Sequence, residues 1–228
     1  MRALEAIVCR AVLSLGWVGV AAVAAVARPA AAADLPDTRP IAARLALVGQ
    51  LGYAYPVGSA EQGTDTRDVS FGIVPIALAA SYDLSDRWTA RARFQYAPNI
   101  PTLCADTSDC ISSVGRDLSL TVGVGRALPA WRHARPELNL EVGWEWLTTK
   151  LVDSGVTSER SWNGPVAILE LFVDLKTQGP WHLGPTVGFG AGFFSHFDLE
   201  TPAGSTGGST ATALHAWPSI GFRAGRQL

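Results

Sequence analysis

Apolar and polar residues alternate with period two along most of this chain. Between Glu137 and Trp146, Leu138, Leu140, Val142, Trp144 and Trp146 take one parity; Glu137, Asn139, Glu141, Gly143 and Glu145 take the other. Between Arg87 and Tyr96, Trp88, Ala90, Ala92, Phe94 and Tyr96 alternate with Arg87, Thr89, Arg91, Arg93 and Gln95. A helix would spread both classes around its circumference, whereas a strand sends them to opposite faces. Six further segments obey the same rule: 43–57, 69–84, 114–128, 163–177, 181–197 and 211–227. In the fourth of these, Leu169, Leu171, Val173 and Leu175 oppose Glu170, Asp174 and Lys176. Eight strands are predicted.

The connections alternate in length. Ser85-Asp86, Pro129–Ala134 and Gln178–Pro180 read as tight turns, and Gly58–Asp68, Pro98–Ser113, Lys150–Ser161 and Asp198–Thr210 as long loops. An antiparallel barrel with an even number of strands and both termini on its short-turn side has this arrangement. In a closed barrel Pro75, Pro165, Pro185 and Pro218 must each sit at a bulge or a strand end.

Periodicity alone leaves open which face is inside. Strands of about ten residues at a tilt of about 45° suit a bilayer, where soluble strands run nearer five or six. Aromatics also gather at strand ends: Tyr82, Trp88, Trp131 and Trp181 beside the short turns, Tyr53, Tyr55, Tyr96, Trp144, Trp146 and Trp162 toward the long loops. Two such bands with aliphatics between are the girdles of a membrane barrel. The polar faces then enclose Arg44, Arg91, Arg93 and Arg223 with Asp117, Glu137, Glu141, Glu145, Glu170 and Asp174. A plugging charge network of Arg91, Arg93, Glu141, Glu145, Glu170 and Asp174 is expected in a lumen of this size. A narrow pore for ions or small solutes is the alternative, since Gly123, Gly125, Gly188, Gly190 and Gly192 leave space on that face. The inside-out alternative is a soluble exported barrel around an apolar ligand.

Residues 1–33 read as a cleavable signal peptide. Arg2 and Arg10 open it, an apolar stretch runs from Ala11 to Ala27, and Ala31-Ala32-Ala33 precede Asp34. A short periplasmic segment, 34–42, and the barrel, 43–228, follow. The chain has 228 residues and a net charge of -2. The leader carries a net positive charge, so the mature chain is more acidic still, and a nucleic-acid partner is excluded for want of a basic surface. Of the three cysteines, cleavage leaves Cys104 and Cys110, which in an exported chain are expected to form a disulfide within the second long loop. A metal site using Asp106 and Asp109 is the sharper but less favoured alternative.

Leader, strand count, loop alternation and aromatic bands together resemble the small outer-membrane barrels of Gram-negative bacteria, the OmpA/OmpX-like group, over roughly residues 41–228. The resemblance implies an all-β fold, an eight-stranded antiparallel up-and-down transmembrane β-barrel preceded by a cleavable signal peptide. It also implies location in the outer membrane, contact with membrane lipids and lipopolysaccharide, and dependence on the barrel-insertion machinery. The family's C-terminal pattern of alternating apolar residues is met by Phe222, Ala224 and Leu228 and interrupted by Arg226.

The expected role is structural or one of surface interaction, with no cofactor and no catalytic site. Lipid modification is the enzymatic alternative, with His196 or His215 as base. Ser195 and His196 are neighbours on a predicted strand and should point to opposite faces, which denies the pair a local nucleophile–base contact.

Overall fold

The computed structural model describes residues 44–61, 64–66, 70, 72–100, 112–131, 134–153, 156–176 and 180–228. The chain divides into Met1–Thr38 and Arg39–Leu228, and the described residues belong to the second unit. The predicted leader, the segment 34–42, Cys104 and Cys110 lie outside them.

Among the described residues eleven strands form in chain order: β1 Leu45–Ala54, β2 Val57–Glu61, β3 Thr64–Asp65, β4 Gly72–Ile73, β5 Ile76–Asp83, β6 Trp88–Ile100, β7 Ser112–Ala127, β8 Ala134–Asp153, β9 Val156–Lys176, β10 Trp181–Thr201 and β11 Gly204–Gln227. Eight of them make the ring. β1 pairs antiparallel with β5, each strand from β5 to β11 pairs with the next, and β11 returns to β1 from Ala46↔Gln227 to Ala54↔Ser219. The chain is therefore an eight-stranded antiparallel up-and-down barrel. Closure removes the free edges that an open sheet would present. β2 continues the line of β1 along β11, and β4 continues that of β5 along β6.

Alternation decides the wall. On β5, Ile76, Leu78 and Ala80 face out, while Ala77, Ala79 and Ser81 face in. Outward rows are apolar along the middle of the wall: Leu78 is 68% exposed, Val122 58%, Val187 58% and Ile220 64%. Arg91, Arg93, Glu141, Glu145 and Glu170 are buried on the other side. The inside-out alternative is thereby overturned, because the apolar rows face outward and the charged rows are buried inside.

Each of the four prolines faces an interruption in one ladder. Pro75 separates β4 from β5, and Pro165 lies in the β9–β10 gap between Gly192↔Val166 and His196↔Asn163. Pro185 lies between Leu183↔Leu175 and Thr186↔Phe172, and Pro218 sits opposite the Tyr55-Pro56 break between β1 and β2. A proline has no N–H to donate, so a ladder must give way there.

Two of the predicted long loops are corrected. Lys150–Ser161 and Asp198–Thr210 continue the barrel strands as hairpins, closing at Asp153↔Val156 and Thr201↔Gly204. β8, β9, β10 and β11 reach 20, 21, 21 and 24 residues. The glycine-rich run after Pro202 is paired strand, and Gly204 has φ +143 at the turn, a conformation that suits a residue without Cβ. Beyond the apolar band neither face has to be apolar, so the amphipathic signal fades while the backbone ladder carries on.

Candidate functional site

The interior is built in layers. At mid-height, inward positions of β6 supply Arg91 and Arg93, β8 supplies Glu141 and β9 supplies Glu170. Arg91 Nε lies 3.2 Å from Glu141 and its Nη1 3.3 Å from Glu170; Arg93 Nε lies 2.9 Å from Glu141 and its Nη1 3.2 Å from Glu170. Each guanidinium bridges both carboxylates, and each carboxylate bridges both guanidinia. Further donors complete the square: Gln50 Nε2 to Glu170 at 2.7 Å and Thr121 Oγ1 to Glu141 at 2.6 Å. Arg223 adds a third cation, 3.4 Å from Glu137 and 4.0 Å from Glu170, with its guanidinium 4.2 Å above the Phe172 ring. Three arginines meet three glutamates, and that balance makes burial tolerable.

Two predicted members of the network stand elsewhere. Glu145 belongs to a layer nearer the long-loop end, where His215 Nε2 lies 2.9 Å from one oxygen and Trp217 Nε1 donates to the other at 2.9 Å. Asp174 lies toward the short turns, 2.8 Å from His182 Nδ1. The square thus unites Arg91, Arg93, Glu141 and Glu170 and leaves Glu145 and Asp174 out.

Above Glu145 runs an aromatic column. His215 stacks on Phe194 at 4.0 Å and 14° and meets the edge of Trp217 at 5.9 Å. Trp162 lies 6.5 Å from Phe194 and 5.8 Å from Phe197, with Leu147 and Ala60 in the same buried cluster. Trp162 is only 1% exposed, which corrects its assignment to an outer girdle. The signal was present in the sequence: Trp162 shares parity with Glu170, and β9 keeps that parity inward through Val166 and Gly164. The remaining aromatics named for the girdles are exposed or half-buried, with Trp131 at 73%, Trp181 at 49%, Trp146 at 42% and Trp144 at 37%. Tyr53, Tyr55, Tyr82 and Trp88 are half-buried.

The glycines leave less room than their composition suggests. A Cβ on Gly123 would stand 2.8 Å from Glu141 Cγ, one on Gly188 2.7 Å from Ser219 Oγ, and one on Gly192 3.0 Å from His215 Nε2. Neighbouring side chains occupy the missing volume. Between the square and Trp217 a cavity of about 40 Å³ remains, room for about three waters. At the short-turn end a vestibule of about 230 Å³ opens beside Asp83, Glu137, Asp174, His182 and Arg223.

The catalytic candidates meet differently from expectation. A bulge between Phe194 and His196 lets Ser195 Oγ lie 3.0 Å from His196 Nδ1, so these adjacent side chains do touch. Ser195 Oγ also lies 3.2 Å from the Asn163 carbonyl oxygen, so that carbonyl competes with His196 for its one proton. His215 Nε2 is already engaged by Glu145.

No family model matches the chain, and no curated protein does. Solved structures do. A major outer membrane protein of Thermus thermophilus superposes with TM-score 0.55 at 12% identity, covering 79% of this chain and 99% of that one. Neisserial surface protein A superposes with TM-score 0.52 at 8% identity, covering 81% and 97%. The fold is that of the small eight-stranded outer-membrane barrels. Ail, the attachment invasion locus protein of Yersinia pestis, shares this barrel with TM-score 0.50 at 12% identity, covering 80% and 98%. At such identities it is the barrel that is common.

Proposed function

We propose that this barrel is a closed anchor in the bacterial outer membrane with a structural or surface-interaction role, its lumen plugged rather than conducting. The observation that carries this reading is the buried square of Arg91, Arg93, Glu141 and Glu170, with the Phe194 and Trp162 layer closing the bore a second time. Ions would have to displace a neutral, mutually bonded set of charges and then an apolar layer. The apolar outer rows favour a lipid surrounding, and the aromatics at both ends suit its two interfaces. Two barrels of this fold are named for the surface or for attachment, and the hairpins β8–β9 and β10–β11 are where a corresponding contact would be made here. In the same reading the leader is cleaved after Ala33, the insertion machinery assembles the barrel, lipopolysaccharide and phospholipid surround it, and Cys104 and Cys110 form a disulfide.

The test is planar-bilayer recording on the refolded barrel, after a boiled-against-unboiled gel has shown the faster-migrating folded band. Silent membranes are the expected result. Steady conductance steps from wild-type protein would overturn the plugged reading in favour of a narrow pore.

A further inference from the structure

Arg226 breaks the apolar rhythm of the last strand, and the plugged lumen gives it no task. Its place on the wall supplies one. The outward row of β11 runs Ile220, Phe222, Ala224, Arg226, and that of β7 runs Leu118, Leu120, Val122, Val124, Arg126. Each lipid-facing row thus ends in an exposed arginine at the short-turn rim. Each arginine is also registered opposite a tryptophan of the neighbouring strand, Arg126 with Trp88 and Arg226 with Trp181. The guanidinium of Arg126 lies 5.3 Å from the Trp88 ring centre, and that of Arg226 5.7 Å from the Trp181 ring centre.

Among the described residues neither arginine has a carboxylate partner. The acids of this end, Asp83, Asp86, Glu137 and Asp174, line the vestibule. Arg135 of the same rim differs, because its Nη2 is occupied by the Asp86 carbonyl oxygen. Depth agrees with an interface. On β7 the next outward charge beyond the apolar row is Arg116. Ten residues at about 3.3 Å each, tilted by about 45°, separate the two arginines by about 23 Å along the membrane normal, close to the height of an apolar band. A guanidinium held over an indole by cation–π attraction spends no N–H on a carboxylate, and its N–H groups fit a phosphate's oxygens.

We propose that Arg126 and Arg226, each held against its cross-strand tryptophan, bind the phosphate of an anionic phospholipid in the leaflet at the short-turn end. This rests on the membrane reading above and adds a lipid class and two sites to it. Arg226 then marks where the last strand leaves the hydrocarbon.

Native mass spectrometry of the detergent-solubilised barrel, titrated with phosphatidylglycerol and separately with phosphatidylcholine, tests the proposal. Wild type should hold two phosphatidylglycerol molecules in preference to phosphatidylcholine. Arg126→Gln and Arg226→Gln should each weaken one site by about fivefold, and the double variant should weaken both. Trp88→Leu should weaken the Arg126 site by less, through lost positioning, and Arg135→Gln should change neither site. Equal retention by wild type and the double variant, both giving the faster-migrating unboiled band, overturns the lipid sites and leaves the membrane reading standing. Displacement of the lipid by inorganic phosphate at matched concentration also overturns them, since the sites would then be generic anion sites. Absence of that folded band from every preparation overturns the membrane reading, and this inference with it.

Discussion

The charged square and the aromatic column close one bore by different physics. The square is stoichiometric: Arg91, Arg93, Glu141 and Glu170 each serve two partners, so removing one leaves buried charge without compensation. The column is cumulative. Phe194, Trp162 and Phe197 contribute area and ring contacts that a smaller side chain reduces without leaving any charge bare. Glu145 belongs with the column, because His215 and Trp217 pack among the rings and each offers a nitrogen to its carboxylate. Charge pairing fills the middle of the lumen, and ring packing fills the layer nearer the long loops.

The strongest break in that contrast is Glu170→Ala. It leaves Arg91 and Arg93 to share Glu141 alone and removes the acceptor of Gln50, and the barrel should lose about 3–5 kcal/mol in urea unfolding from lipid vesicles. Combining it with Arg93→Ala should cost much less than the two single changes added together, since their shared contact is lost once. Phe194→Ala follows, at about 3 kcal/mol for a truncated core ring, with no such coupling to Arg93→Ala. A coupling as large as that of the Glu170 pair would mean that the column and the square form one unit.

Trp217→Phe keeps the ring and deletes the donor to Glu145. About 2 kcal/mol is expected for the lost bond to a charged group, and loss of nothing measurable would show that a water takes over. The smallest effect belongs to the projecting hairpin. Glu159→Gln removes a 3.1 Å cross-strand pair with Lys150 that is largely open to solvent, and the unfolding midpoint should move by less than about 0.5 kcal/mol equivalent.

Legibility in the sequence followed the environment. Inside the apolar band every outward position must be apolar and every inward one may be charged, so period two exposed β6, β8 and the face carrying Arg91, Arg93 and Glu141. Past that band both faces meet water. The β8–β9 and β10–β11 hairpins therefore read as loops, although their ladders are unbroken to Asp153↔Val156 and Thr201↔Gly204. Trp162 misled for another reason. A tryptophan near a strand end suggests a girdle, yet its parity with Glu170 outweighed its type. The Ser195–His196 contact was beyond any parity argument, because a bulge suspends the alternation on which such arguments rest.

What the sequence by itself determined is the wall: strands, their two faces, and a set of charges too costly to place in lipid. These follow from the chain's own period, which needs no knowledge of neighbours. Only the tertiary structure decided which charges meet. Glu141 and Glu145 are four residues apart on one strand face, yet one completes the square and the other receives His215 and Trp217. Closure of the ring and the stagger of its strands set those heights, and they depend on ladders formed between residues as distant as Ala46 and Gln227.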